Sequence, residues 1–180
     1  MRNTSPNSVG RFVRGRGGGF TLIEVMFAIV LVGMAIAGLT MSSFAYTQSN
    51  STGVNLATAE YLIGQIHELT ATLPVADPVT GTATFGPEAG ETLATYDDVD
   101  DFAGTGTGWR TPFSPPIDAN RQPLTALSAY QQQVKVQSIS SALTGDSGSY
   151  AVNKNFVRVT VQILKGNRVI CSQSWIRARY

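Results

Sequence analysis

No charged residue occurs between Val25 and Ala59, and the first part of that stretch, Val25 to Met41, is strongly apolar. Counted from Phe20, the apolar run supplies the roughly 20 residues that a helix needs to cross about 30 Å of hydrocarbon. Arg2, Arg11, Arg14 and Arg16 precede it with no acidic residue among them. Such a flank stays cytoplasmic, which places the C-terminus outside the membrane. Glu24 alone interrupts the apolar character, near the start of the run. An acidic side chain at membrane depth is costly and is usually functional.

The residues around Glu24 have a specific order: Gly19-Phe20-Thr21-Leu22-Ile23-Glu24-Val25. A cut between Gly19 and Phe20 would free an α-amine four residues from Glu24. One chain's carboxylate could then neutralise another chain's amine. In this segment the sequence resembles the type IV pilin superfamily, the class III signal peptide proteins. Gly19, Phe20 and Glu24 match that motif position by position. The resemblance implies cleavage after Gly19 by prepilin peptidase and N-methylation of Phe20. It also implies assembly with other pilins or pseudopilins, with Glu24 compensating a neighbour's terminal amine. It covers the N-terminal third of the chain and says little about the rest.

Two plainer readings compete. An ordinary secretory signal would use Ala35-Ile36-Ala37 as its cleavage site. The long charged leader, Glu24 within the core, and apolar residues beyond Ala37 count against it. Arg14-Gly15-Arg16-Gly17-Gly18-Gly19 could be a phosphate-cradling or RNA-binding segment. No strand precedes it and no Gly-Lys-Ser/Thr follows.

The 180 residues leave room for one modest domain beyond the anchor. The formal charge of +1 misleads. Of 13 Lys and Arg the leader holds four, leaving nine against twelve Asp and Glu, a net of −3 for the processed chain. That mildly acidic balance argues against nucleic acid as a partner. Cys171 is the only cysteine, so no intrachain disulfide forms. Many pilins close a C-terminal loop with one, and this chain departs from that pattern. Cys171 reads as a small buried side chain within an apolar strand.

Four segments follow: a leader at 1–19, a membrane or filament-core helix at 20–41, an amphipathic continuation at 42–73, and a β-rich domain at 74–180. Leu62, Ile66, Leu69 and Leu73 recur on one helical face. Pro74 ends the helix. One helix from about Phe20 to Leu73 would span about 80 Å. Ser49 to Gly53 is where it would break, because Ser, Asn, Thr and Gly are poor helix formers. His67, the only histidine, reads as a packing or surface residue.

The stretch from Val75 to Leu127 is irregular, punctuated by proline and glycine. After it, Val134 and Val136 alternate with Gln133, Lys135 and Gln137. Val157, Val159, Val161 and Ile163 alternate with Arg158, Thr160 and Gln162. Gly166-Asn167 then reads as a tight hairpin turn into Val169-Ile170-Cys171. Ala142 to Asn155 connects the first strand to that hairpin. The expected class is α+β, a long N-terminal helix packed on a C-terminal antiparallel sheet.

Asp97, Asp98, Asp100 and Asp101 fall within five positions, between Tyr96 and Phe102. Such carboxylates repel one another unless they are solvated or share a cation. Calcium accepts six to eight oxygens, and these four are its candidate ligands, although Phe102 and Ala103 rule out an EF-hand frame. The plain alternative is a solvated acidic turn pinned by its two aromatics. No other cofactor is expected. The Asp-Asp-Val-Asp-Asp-aromatic stretch resembles the MshD-type minor pilins of the mannose-sensitive haemagglutinin pilus.

The expected role is therefore a minor pilin or pseudopilin of a type IV pilus-like filament, inserted first in the inner membrane as a single-pass protein. A type II secretion pseudopilin and a membrane-anchored extracytoplasmic binding module are the alternatives. No Ser/His/Asp set, framed acid/base pair or nucleotide loop points to an enzyme.

Overall fold

A computed structural model describes residues 18–104, 108–140, 146–147 and 155–179. The leader arginines and most of the Ala142–Asn155 connection lie outside the described residues. The chain divides into two compact units, Met1–Gln48 and Ser49–Tyr180.

In the first unit the described residues begin with Gly18–Thr21 in irregular conformation and continue into α1, Leu22–Thr72. Thr21 sets the start of α1. Its hydroxyl accepts the Glu24 N–H at 3.3 Å, and its carbonyl accepts the Val25 N–H at 3.2 Å. Thr21-Leu22-Ile23-Glu24 thus has the spacing of a helix capping box. Every residue of α1 in this unit is exposed.

The expected break at Ser49–Gly53 does not occur, and α1 runs through it. Each poor helix former costs under about 1 kcal/mol, and propagation of an existing helix is cooperative. Thr47 and Thr58 place their hydroxyls on the carbonyls of Ser43 and Val54. Those hydroxyls are satisfied inside the helix rather than competing with it.

The second unit packs the end of α1 into a core with an antiparallel sheet. The strands are β1 (Tyr130–Ile139), β2 (Asp146–Ser147), β3 (Phe156–Lys165) and β4 (Arg168–Ala178), in the order β2-β1-β3-β4. Alternation decides which face is buried. Val134 and Val136 of β1 and Val157, Val159, Val161 and Ile163 of β3 are all fully buried. From the helix come Ala59, Leu62, Ile63, Ile66 and Leu69, while Leu73 is only partly buried. Each fully buried Val, Leu or Ile among them contributes about 1.5–3 kcal/mol relative to exposure.

Gly166-Asn167 joins β3 to β4 as a two-residue turn, with Lys165 paired to Arg168. Gly166 has φ +60°, which a glycine reaches without steric cost. A bulge follows, where Ile163 pairs with Cys171 but Leu164 with Val169. Cys171 is half-buried rather than buried, since β4 lies at the sheet edge. His67 is exposed and packs edge-on against Trp175, with ring centroids 4.8 Å apart.

Between α1 and β1 no long element forms among the described residues. Hydrogen bonds hold the region to its surroundings. Val99 N donates to Pro74 O at 2.9 Å, and Phe113 exchanges two backbone bonds with Gln132. Arg177 of β4 donates to the carbonyls of Ala71 and Leu73 at 2.8 and 2.9 Å. The last turn of α1 has no basic residue of its own, so Arg177 supplies the cation that a helix C-terminus favours.

Candidate functional sites

Two places bring chemistry-bearing residues together, one in each unit. At the N-terminus, Gly18, Gly19 and Phe20 are exposed and free of regular structure. A Cβ added at Gly19 would meet nothing within 4 Å. The fold therefore does not require a glycine there. Glu24 lies in the first turn of α1, where the helix dipole favours a negative charge. Only its backbone N–H takes part in the Thr21 cap. Among the described residues, its carboxylate accepts no hydrogen bond from its own chain. Phe20, Glu24, Ala28 and Val32 follow at steps of four and line one side of this segment. The capping role of Thr21 is readable in the Thr-x-x-Glu spacing.

In the second unit the acidic segment departs from the solvated turn. Asp98, Asp100 and Asp101 are 1%, 2% and 0% exposed, and only Asp97 stays at the surface. The reason is aromatic packing on both sides. Phe102 is fully buried, stacks edge-on against Tyr96 at 5.3 Å, and reaches Phe113 at 6.5 Å. Burying Phe102 draws the 3-10 turn Asp100–Phe102 inward and its carboxylates with it.

Asp98 and Asp101 then clasp one another. Asp101 N donates to Asp98 Oδ1 at 3.0 Å, and Asp98 N donates to Asp101 Oδ2 at 3.2 Å. Asp97 N also donates to Asp101 Oδ2, at 3.0 Å. One oxygen of each carboxylate is thereby used. The others, Asp98 Oδ2 and Asp101 Oδ1, are buried without a hydrogen-bond partner. Asp100 lies beside Asp98, and its Oδ2 accepts from Gly86 N at 3.0 Å.

The four aspartates do not share one centre. Asp97 and Asp98 group with Asp77, and Asp101 groups with Glu88 and Glu91. In each triad one carboxylate oxygen per residue lies within 4.8 Å of the others. Asp100 belongs to neither. Asp77 and Glu91 are oriented by local turns. Asp77 Oδ1 accepts from the N–H groups of Val79 and Thr80, and Glu91 Oε2 accepts from Glu88 N at 3.0 Å.

Crowding and burial disfavour the charged forms. Burial, reinforced by the neighbouring Asp100, pushes the Asp98 carboxyl up to about 8. Burial, with Asp98 and Glu91 nearby, pushes Asp101 up to about 7. Burial first and then adjacent carboxylates also raise Glu88 and Asp97. Two arginines of the region bond to other oxygens. Arg110 donates to Asp101 O and Tyr96 Oη, and Arg121 donates to the carbonyls of Ala94 and Tyr96. Both brace the loop backbone. The sequence signal lies in the contiguous aspartates; Asp77, Glu88 and Glu91 stand apart from them along the chain and carry none.

Residues 14–40 match the prokaryotic N-terminal methylation motif, which is prepilin-type and spans the glycine, Phe20, Glu24 and the start of the apolar run. No curated protein matches the chain. No solved structure matches it either.

Proposed function

We propose that this chain, which carries a prepilin-type methylation motif, is a minor pilin or pseudopilin subunit of a type IV pilus-like filament. It is made in the inner membrane with its C-terminal domain outside the cytoplasm. Prepilin peptidase trims it after Gly19 and methylates the new amine of Phe20. Its role is then structural, through assembly of the N-terminal helix, rather than catalytic.

The observation that carries this reading is the motif's placement on a helix whose apolar side chains are uncovered. Phe20 and Leu22 are 82% exposed, and Leu39 and Met41 are 73% exposed. This is the one helix among the described residues long and apolar enough to cross a membrane. Apolar surface on that scale needs lipid or other apolar helices around it. In a bilayer, and later in a bundle of like helices, the same side chains stay out of water. Glu24 supports the second setting. Among the described residues its carboxylate has no partner, and a neighbour's positive Phe20 amine would supply one. Gly19 supports processing, because no contact within the fold demands a glycine there.

Within this class, the Asp97–Phe102 stretch favours a minor pilin of the MshD type. The single Cys171, with no disulfide, suits a type II secretion pseudopilin as well. The buried carboxylates of the second unit favour a further reading, an anchored binding module that never enters a filament. The deciding experiment is mass spectrometry of sheared filaments and membranes. The filament reading expects a mature N-terminus at methylated Phe20, retention of the full-length chain in Gly19→Val, and protein in the sheared fraction. A terminus at Gly38 would instead make the segment an ordinary signal peptide. Correct trimming with all protein left in the membrane would favour the binding module.

A further inference from the structure

We propose that the region between α1 and β1 binds two calcium ions, one held by Asp77, Asp97 and Asp98 and the other by Glu88, Glu91 and Asp101. The proposal concerns the second unit alone and does not depend on the filament reading.

Geometry is the first support. Calcium–oxygen distances are about 2.3–2.6 Å, so two ligands of one ion lie at most about 5 Å apart. Each triad offers three carboxylate oxygens within 4.8 Å of one another. The Asp98–Asp101 clasp joins the two triads, because each partner belongs to a different one.

The second support is independent of clustering. Asp98 Oδ2 and Asp101 Oδ1 are buried oxygens that no donor satisfies, on side chains 1% and 0% exposed. Glu88 Oε2 is a third such oxygen. Buried polar atoms are otherwise nearly always paired, and a buried carboxylate without compensation is expensive. A cation in each triad would satisfy these oxygens and remove the repulsion among neighbours. Protonation is the competing way to neutralise them.

Ligand chemistry selects the ion. Each triad offers only carboxylate oxygen, with no imidazole or thiolate, which suits a hard cation rather than zinc. Magnesium holds its ligands at about 2.0–2.1 Å in strict octahedral geometry, whereas calcium tolerates wider and irregular spacing. Asp77, Glu88 and Glu91 come from the long irregular segment, so each ion would tie that segment to the Asp97–Phe102 turn.

The test uses the full chain purified in detergent, with terbium as a luminescent calcium substitute sensitised by Tyr96. Aromatic excitation should give terbium emission that calcium displaces and magnesium at the same concentration does not. Titration should reach two ions per chain. Asp97→Asn and Glu91→Gln should each lower this to one. Both positions are accessible and the amides keep an acceptor oxygen, so the folds should survive; circular dichroism checks this. Calcium should also raise the melting temperature relative to a chelator, and the rise should vanish in the double variant. Superimposable melting curves with no calcium-displaceable emission would overturn the proposal. So would a wild-type titration ending at one ion, or two ions still bound in both single variants.

Discussion

Gln132 Nε2 donates to the Leu62 carbonyl oxygen at 3.0 Å, linking β1 to α1 across 70 residues of sequence. The same fully buried amide accepts from Ile117 N at 2.7 Å and donates to Ile117 O at 3.1 Å. One side chain thus joins helix, sheet and irregular segment. Gln132→Leu keeps the size but strands these backbone groups, each at about 1–3 kcal/mol. The expected loss is about 3 kcal/mol of stability or more, read by denaturant unfolding of the full chain in detergent. An unchanged unfolding midpoint would mean the amide is not a structural tie.

Gly104 and Gly64 should respond to alanine in opposite ways. A Cβ at Gly104 would lie 2.6 Å from both Arg110 N and Gly108 O, with the Trp109 carbonyl carbon closer still. Backbone cannot yield as a side chain can, so Gly104→Ala should cost about 1–3 kcal/mol. Gly64 sits within α1 with nothing near its added Cβ. Gly64→Ala should gain up to about 1 kcal/mol from helix propensity. Thermal melts of the pair check this, and equal shifts of the same sign would refute it.

With calcium withheld by a chelator, the protein should melt at a higher temperature at pH 5 than at pH 8. The folded-state values of Asp98, about 8, and Asp101, about 7, lie above the ordinary carboxyl value near 4. Folded protein therefore keeps protons that unfolded protein has released, and stability falls as pH rises through that window. Asp77, Asp97 and Asp100 surround Asp98, and Glu88 and Glu91 adjoin Asp101; all carry the same sign of charge. A melting temperature that holds level or climbs from pH 5 to 8 would contradict this arrangement.

Glu24→Val should insert in the membrane at least as well as the native chain. An acidic side chain costs about 2.5–3.5 kcal/mol at the centre of a membrane helix and less near its end. Helix capping should persist, since Thr21 bonds the backbone of residue 24 rather than its carboxylate. Under the proposed filament role, recovery in sheared filaments should fall sharply, because a neighbour's amine would lose its counter-charge. Native amounts of Glu24→Val in that fraction would remove the carboxylate from assembly.

Local patterns were legible where one period ran through one element. Val157 to Ile163 alternate because a strand places successive side chains on opposite faces, and all four apolar positions are buried as that pattern requires. Leu62, Ile66 and Leu69 lie on the buried helical face for the corresponding reason. The same pattern missed Ala59 and Ile63, whose burial depends on how the sheet is laid against the helix. At Ser49–Gly53 composition pointed to a break, but cooperativity along α1 outweighed weak local preferences.

The sequence alone determined the prepilin-type segment, the long helix and the Gly166-Asn167 hairpin, because each is written in neighbouring residues whose covalent spacing sets the geometry. Tertiary structure decided the burial of Asp98 and Asp101 and the recruitment of Asp77, Glu88 and Glu91. It also decided the use of Arg177 as a cap for α1. Those relationships join residues far apart in the chain. They arise only once burial of Phe102 and the sheet core has offset the entropy of closing the loops between them.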